Sequence, residues 1–313
     1  EQPACRPVRR LGSAGGSAGS TMRVTASGLD HAVSSTSALI VEEPTLRCAV
    51  SRRASMVEDP IGRISLEGRT PVSVLRMRPW LDRYPKRKDA GVLLEGFSTG
   101  FWIPFVRSDS PSLADNLRSV VGKESILEDK LRKEVCLGRM AGPFDSPPFP
   151  NLRVSPLGLV PKKEPGSFRL IHHLSYPSGG SVNDDIDKEE SHVRYASFDR
   201  ALELVREAGK GALLAKSDIE SAFRLFPVHP DCFHLLGCRF QGSFFFDMCL
   251  PMGCAISCSY FEMFASFLEW VVARVAGIES LTHYLDDFLF VGPRESDDCD
   301  KGKDPRSELQ QTP

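Results

Sequence analysis

Apolar residues recur at helical spacing in three stretches of the chain. In the first, about 123–137, four apolar residues fall on one face and charged residues occupy the others, and Gly138 follows as a stop signal. These four are Ile126, Leu127, Leu131 and Val135. Residues 198–209 also have a helical pattern, and 256–276 is long and apolar. We therefore predict three helices here.

Shorter apolar runs, separated by polar turns, predict strands between and after these helices. Residues 157–161 and 168–174 flank the polar turn 162–167 and predict a hairpin. Residues 212–218 predict a single strand, and 240–248 and 281–291 predict two more hairpins. Because strands and helices interleave without a βαβ rhythm, the predicted fold class is α+β.

The composition of the chain divides it into four regions. Residues 1–75 are rich in Gly, Ser, Ala and Arg without apolar periodicity, which predicts a disordered N-terminal region. Residues 76–140, with the apolar, glycine-punctuated stretch 91–105, predict a helical upstream subdomain. Residues 141–292 contain most of the predicted strands, and the polar stretch 293–313 predicts a disordered tail.

Charge and cysteine usage exclude little. The net charge of −2 gives no basic signature, but a nucleic-acid enzyme needs only a basic groove. No signal peptide or membrane-spanning run is visible, so we expect an intracellular protein of the cytoplasm or nucleus with no membrane partner.

Cys249, Cys254 and Cys258 are expected to be reduced core residues, since no histidine stands at ligand spacing. The first residue, Glu1, suggests a fragment.

Carboxylates interrupt two of the predicted strands. Asp286 and Asp287 are adjacent between apolar flanks, where unpaired carboxylates would lose hydration and repel each other. Asp218 ends another apolar run. Brought together, the three could hold two divalent cations roughly 3.5–4 Å apart, an arrangement that suits in-line phosphoryl transfer. The alternative is that these aspartates are turn formers or helix caps.

Four motifs, in order along the chain, resemble those of reverse transcriptases. Residues 160–163 with 168–170 resemble the fingertip hairpin, and 215–223 resemble the first catalytic motif, an Asp followed five residues later by an aromatic. Residues 250–257 resemble the LPxGxxxS loop, and Tyr284-Leu285-Asp286-Asp287 resembles the YxDD box. Stretches 141–144, 181–184 and 283–289 are similar to the DIRS-like group of tyrosine-recombinase retrotransposons. The resemblance covers about 80–292.

This resemblance implies a polymerase palm, an antiparallel sheet backed by helices, together with fingers. It implies that Mg²⁺, with Mn²⁺ as a possible substitute, binds Asp218, Asp286, Asp287 and the backbone of Ile219. The residues implied to contact the incoming dNTP are Lys162, Arg169, Phe223, Met252 and Gly253. Phe223 would be the steric gate that excludes a 2′-hydroxyl, although its aromatic ring could instead be a core residue. The residues implied to contact an RNA or DNA template with its primer are Pro251, Gly253, Ser257 and Tyr284.

Three residues depart from the family pattern. Met252 stands where many relatives have Gln or Phe, His173 where they have Asp, and Cys258 where proline is common. No match to a primer grip, thumb or RNase H is found, so we expect downstream segments of a parent polyprotein to supply them and this chain alone to polymerise little. The alternatives are a catalytically inactive, retroelement-derived nucleic-acid-binding fragment and an RNA-dependent RNA polymerase, against which Phe223 argues.

Overall fold

A computed structural model describes residues 70–106 and 110–294. Most of the predicted N-terminal region and nearly all of the predicted tail lie outside these residues. The α-helices are α1 (Val74–Leu81), α2 (Arg87–Thr99), α3 (Glu124–Cys136), α4 (Lys188–Ser191), α5 (Phe198–Ala208) and α6 (Ser257–Ala276). The predicted helices therefore correspond to α3, α5 and α6. Glycines at positive φ follow all three, namely Gly138, Gly209 and Gly277.

Within the described residues, ten strands form three sheets. They are β1 (Ser112–Leu113), β2 (Met140–Phe144), β3 (Arg153–Val154), β4 (Leu157–Pro161), β5 (Phe168–His172), β6 (Leu213–Asp218), β7 (Gly237–Phe240), β8 (Ser243–Asp247), β9 (Leu281–Tyr284) and β10 (Asp287–Gly292). With helices on the sheets, the chain has the α+β fold that its sequence predicts.

One sheet is a small antiparallel unit of three strands in the order β6-β10-β9. Its register pairs Asp287 with Asp218 and Tyr284 with Asp287. Strands β6 and β9 therefore end, and β10 begins, at the same end of the sheet. Helix α5 packs on β9 and β10, and α6 packs on β9. The predicted antiparallel sheet backed by helices is confirmed.

The other two sheets include pairings that the sequence pattern did not reveal. Strands β4 and β5 form the predicted hairpin, with Leu157 opposite His172. The remaining sheet has the order β1-β3-β7-β8-β2, and its β1–β3 and β3–β7 pairs are parallel. The β7–β8 hairpin turns at Gln241 and Gly242, which both have positive φ, as a tight two-residue hairpin requires.

The upstream helices share a core with later parts of the described chain. Phe97 of α2 packs against Phe226 and Phe264 at 5.2 Å between ring centroids. Helix α1 starts at Val74, and Val72 just before it is buried in the same core. These contacts bury apolar faces that a separate subdomain would leave exposed.

Helix α3 belongs to a second apolar cluster. Leu127 and Leu131 are buried there against Leu157 and Leu159 of β4. The helix is therefore fixed against the β4–β5 hairpin, and its charged side chains border the space beside that hairpin.

The longest helix, α6, has 20 residues, and eight of them are buried. Cys254, just before it, and Cys249 are buried in the core, as expected of core cysteines. Neither α6 nor any other helix within 70–106 and 110–294 combines the length and apolarity needed to cross a bilayer.

Candidate active site and the adjoining basic cleft

The three predicted metal-binding aspartates converge at the edge of the β6-β10-β9 sheet. Asp218 ends β6, directly opposite Asp287 at the start of β10. The Ile219 N–H donates to the Asp286 carbonyl at 3.1 Å, which ties the end of β6 to the hairpin turn. Leu285 turns the hairpin with φ of +54°. One ligand atom from each of Asp218, Asp286 and Asp287 lies within 4.8 Å of the other two.

The charges in this cluster are only partly compensated. Burial, and then the charges on Asp286 and Asp287, raises the pKa of Asp218 above its ordinary value. Lys216 Nζ lies 2.8 Å from Asp287 Oδ1, and this hydrogen bond raises the pKa of the lysine. Asp218 and Asp286 are left to repel each other. A set of half-exposed carboxylate oxygens with excess negative charge fits Mg²⁺ or Mn²⁺.

A buried histidine anchors the hairpin from behind. His283 lies on β9 with Nδ1 2.5 Å from Glu269 Oε2 and Nε2 3.1 Å from Glu262 Oε1, both on α6. Burial opposes a charge on this ring, but the hydrogen bonds to the two glutamates outweigh it and raise the pKa of His283 to about 9. The imidazolium therefore links the aspartate-bearing hairpin to the central helix.

A cleft next to the β4–β5 hairpin contains several of the predicted nucleotide-binding residues. Lys162 and Arg169 of the hairpin line it together with Pro251 and Met252 of the loop before α6. Ser221, three residues after Asp218, lines it as well. The structure thus brings the predicted fingertip, the loop and the segment that follows the first catalytic aspartate around one concave surface.

A buried ion network forms the wall of this cleft. Arg224 Nη1 lies 2.7 Å from Asp247 Oδ1, and Arg224 Nη2 lies 2.8 Å from Glu134 Oε2 of α3. The other Asp247 oxygen, Oδ2, lies 2.8 Å from Nδ1 of His172 on β5. Burial opposes ionisation of Asp247, but Arg224 and His172 outweigh it and hold its pKa below the ordinary value. The network joins α3, β5 and β8 to the segment that follows β6.

The loop before α6 has a conformation that glycine alone fits well. Gly253 has φ of +111°, and a Cβ there would lie 2.9 Å from the His172 carbonyl oxygen. Asn183 Nδ2 donates to the Gly253 carbonyl at 2.7 Å. Ser257 is buried, and its hydroxyl donates to the Pro251 carbonyl at 3.0 Å, so this side chain fixes the loop and does not face solvent.

Two predicted aromatic residues lie near the acidic cluster. Tyr284 is 54% exposed, and its ring lies 5.1 Å from that of Tyr195. Phe223 is half-buried and packs edge-on against Phe261 of α6 at 5.5 Å between centroids. Phe223 is therefore anchored by the core on one side and partly accessible on the other.

The sequence did not indicate the backbone conformation of Ser221 or the side-chain partners of Arg224 and His283. Ser221 has φ of +59°, an uncommon conformation for a residue other than glycine. The partners of Arg224 and His283 lie from 14 to 90 residues away along the chain. An isolated charged residue within an apolar run, such as Arg224 in Phe223–Leu225, is the signal that could have indicated a buried partner.

No family model matches this chain, and no curated protein matches it either. Solved structures of foamy virus protease-reverse transcriptases resemble it at low sequence identity. The native prototype foamy virus protein has a TM-score of 0.41 and 19% identity over 67% of this chain and 24% of its own. A complex with RNA/DNA hybrid has a TM-score of 0.44 and 13% identity over 69% and 28%. A complex with dsDNA has 0.41 and 12% over 74% and 46%, so the chain spans less than half the length of each.

Proposed function

We propose that this chain is the palm and fingers of an RNA-directed DNA polymerase from a retroelement polyprotein, of the DIRS-like group that its motifs resemble. One observation carries the proposal. Asp218, Asp286 and Asp287 have ligand atoms within 4.8 Å of one another, at the edge where three strands end. The charges on Asp286 and Asp287 raise the pKa of Asp218, and a cation bound among the three carboxylates would offset this repulsion.

The proposed reaction joins a dNTP to a primer. The primer 3′-hydroxyl oxygen forms a bond to the α-phosphorus, the bond from that phosphorus to the bridging oxygen breaks, and pyrophosphate leaves. Asp218 and Asp286, helped by Asp287 and the backbone of Ile219, would hold Mg²⁺ or Mn²⁺. Divalent cations bound there would lower the pKa of the attacking hydroxyl and neutralise charge on the leaving group. Lys216 limits the negative charge of the cluster through its 2.8 Å contact with Asp287.

The chain's other residues bind and orient the substrates. Lys162 and Arg169 would contact the triphosphate, since an ammonium and a guanidinium both suit phosphate oxygens. Phe223 would lie under the sugar and reject a 2′-hydroxyl. Met252 and Gly253 would contact the nucleotide from the loop before α6.

Template and primer would lie across the same surface. Pro251, Gly253 and Tyr284 would contact them directly, while Ser257 holds the loop that presents Pro251. We further propose that the parent polyprotein has downstream thumb and RNase H segments, and that the thumb clamps the primer terminus. Without such a clamp, a misplacement of about 1 Å can cost on the order of 100-fold in rate.

Divalent-cation binding by the chain itself tests the proposal. Mn²⁺ titration followed by electron paramagnetic resonance should detect ions bound to the wild type and lost in Asp218→Asn. Asp115→Asn is the matched control, because that carboxylate is 95% exposed and lies elsewhere. The same Mn²⁺ should strengthen dNTP binding in the wild type. A chain that binds no Mn²⁺ at millimolar concentration, or binds it equally in Asp218→Asn, would contradict the proposal.

A further inference from the structure

Cationic side chains outnumber carboxylates in the cleft beside the β4–β5 hairpin. The six cationic residues that line it are Lys130, Lys133, Arg139, Lys162, Arg169 and Arg224. The carboxylates in its lining are Glu134 and Asp247. Six cations against two carboxylates leave an excess of four positive charges, so the cleft as a whole attracts polyanions.

Both carboxylates are already engaged. Arg224 lies 2.8 Å from Glu134 and 2.7 Å from Asp247, and His172 occupies the second oxygen of Asp247. Within the part of the chain that the structure describes, none of the other five cations forms an ion pair with a carboxylate. Their charges remain available to a ligand.

The lysines of the cleft repel one another. Lys130 of α3 is half-buried, and burial, followed by the charges on Lys162 and Lys133, lowers its pKa, with partial compensation by Glu134. Cations held together in this way destabilise the fold unless something offsets them. A bound polyanion would relieve the repulsion at several positions at once.

Arg139 connects the cleft to the acidic cluster. Its Nη1 lies 3.4 Å from Oγ of Ser221, which follows Asp218 by three residues. Ser221 has φ of +59°, so the chain bends sharply here and the segment after β6 turns into the cleft wall. The cleft wall and the strand that ends at Asp218 therefore belong to one continuous segment of the chain.

We propose that Lys130 and Arg139 bind the polyphosphate of the incoming nucleotide. Helix α3 and the turn between α3 and β2 would then form part of the nucleotide site, together with Lys162 and Arg169. This rests on the proposed function. A planar guanidinium can make two parallel hydrogen bonds to phosphate oxygens, and an ammonium supplies a compact charge. The ligand class is a triphosphate or pyrophosphate.

Calorimetric titration of the full chain tests the role of Lys130 and Arg139. The ligands are inorganic tripolyphosphate and dTTP, at low ionic strength with Mg²⁺. Lys130→Gln and Arg139→Gln should each weaken binding of both ligands about tenfold, the loss expected for one charge-assisted hydrogen bond. Arg132→Gln is the matched control, because Arg132 lies on the same helix outside the cleft, paired with the exposed Asp129. It should change affinity less than twofold. Lys130→Arg and Arg139→Lys, which keep the charge, should retain most of the binding.

Three outcomes would overturn the inference. The first is that tripolyphosphate does not bind the wild type, and the second is that the Lys130 and Arg139 variants bind it as tightly as Arg132→Gln does. The third is that these variants lose affinity for a single-stranded oligonucleotide but not for tripolyphosphate, which would make the cleft a nucleic-acid track. Mn²⁺ binding measured on the same variants separates this inference from the proposed function, because the aspartates are unchanged in them. Normal Mn²⁺ binding with unaltered polyphosphate affinity would reject the role of α3 alone.

Discussion

The acidic cluster and the basic cleft both gather like charges, but they are held together by different means. Asp218 and Asp287 are fixed by a strand ladder, Asp218 is exposed and Asp287 is half-exposed, and Lys216 lies beside Asp287. The cleft is instead held by side chains, through the buried ion pairs of Arg224. Charge at the acidic edge can therefore be removed without loss of packing, whereas charge in the cleft wall cannot. In the proposed function the first region binds ligands, whereas the second also supports the fold.

Asp218→Asn or Asp286→Asn should give the largest functional effect. Each removes charge that the cations need, so incorporation of dNTPs by a longer protein that includes a thumb should fall by on the order of a thousandfold or more. The unfolding free energy should stay within about 1 kcal/mol of the wild type, since relief of repulsion offsets lost contacts. Primer extension and urea unfolding measure the two quantities. Near wild-type incorporation by Asp286→Asn would refute the assignment.

Arg224→Leu should instead lower the unfolding free energy, which the aspartate substitutions leave nearly unchanged. It leaves the buried Asp247 and the partly exposed Glu134 without their arginine, and removal of one member of a buried pair costs about 3–5 kcal/mol, a cost that solvent reduces at Glu134. Urea unfolding measures the loss. Arg200→Leu is the control, because its pair with Glu203 is exposed and should contribute less than about 1 kcal/mol. Equal losses in the two variants would show that the network adds no stability.

The same difference explains what could be predicted from the sequence. The acidic cluster was predictable because Asp286 and Asp287 are adjacent and Asp218 ends an apolar run of its own. Helix α3 and the β4–β5 hairpin were predictable because their apolar periodicity is local. The Arg224–Glu134 pair joins residues 90 positions apart, and His172–Asp247 joins residues 75 apart. The sequence around each of these residues does not indicate its partner. It does not indicate the parallel pairs of β3 either, because they involve only one or two residues.

A third charged group, His283, should make the stability of the aspartate-bearing hairpin depend on pH. Its folded pKa of about 9 lies above the ordinary value of 6.5, so its contribution is fully present below about pH 6.5. The contribution is lost as pH rises to about 9 and is at most on the order of 3 kcal/mol. The difference in unfolding free energy between wild type and His283→Gln, measured across this range, isolates it. A difference that does not change with pH would mean that His283 is neutral in the folded protein.

Phe223 lies along the chain between the acidic cluster and the cleft wall, and its substitution should have the smallest effect. It follows Asp218 by five residues and precedes Arg224, so one segment carries both a proposed metal ligand and part of the cleft wall. If its accessible side faces the sugar, Phe223→Val makes room for a 2′-hydroxyl and should lower the preference for dNTPs over rNTPs by on the order of tenfold. Competition between labelled dNTPs and rNTPs in primer extension measures this preference. The contact with Phe261 gives the rival expectation, since a purely structural ring would lose about 1 kcal/mol of stability and leave the preference unchanged. Both quantities should be measured on one variant, because a lower stability with unaltered sugar preference would assign Phe223 to the core and remove the gate from the proposed site.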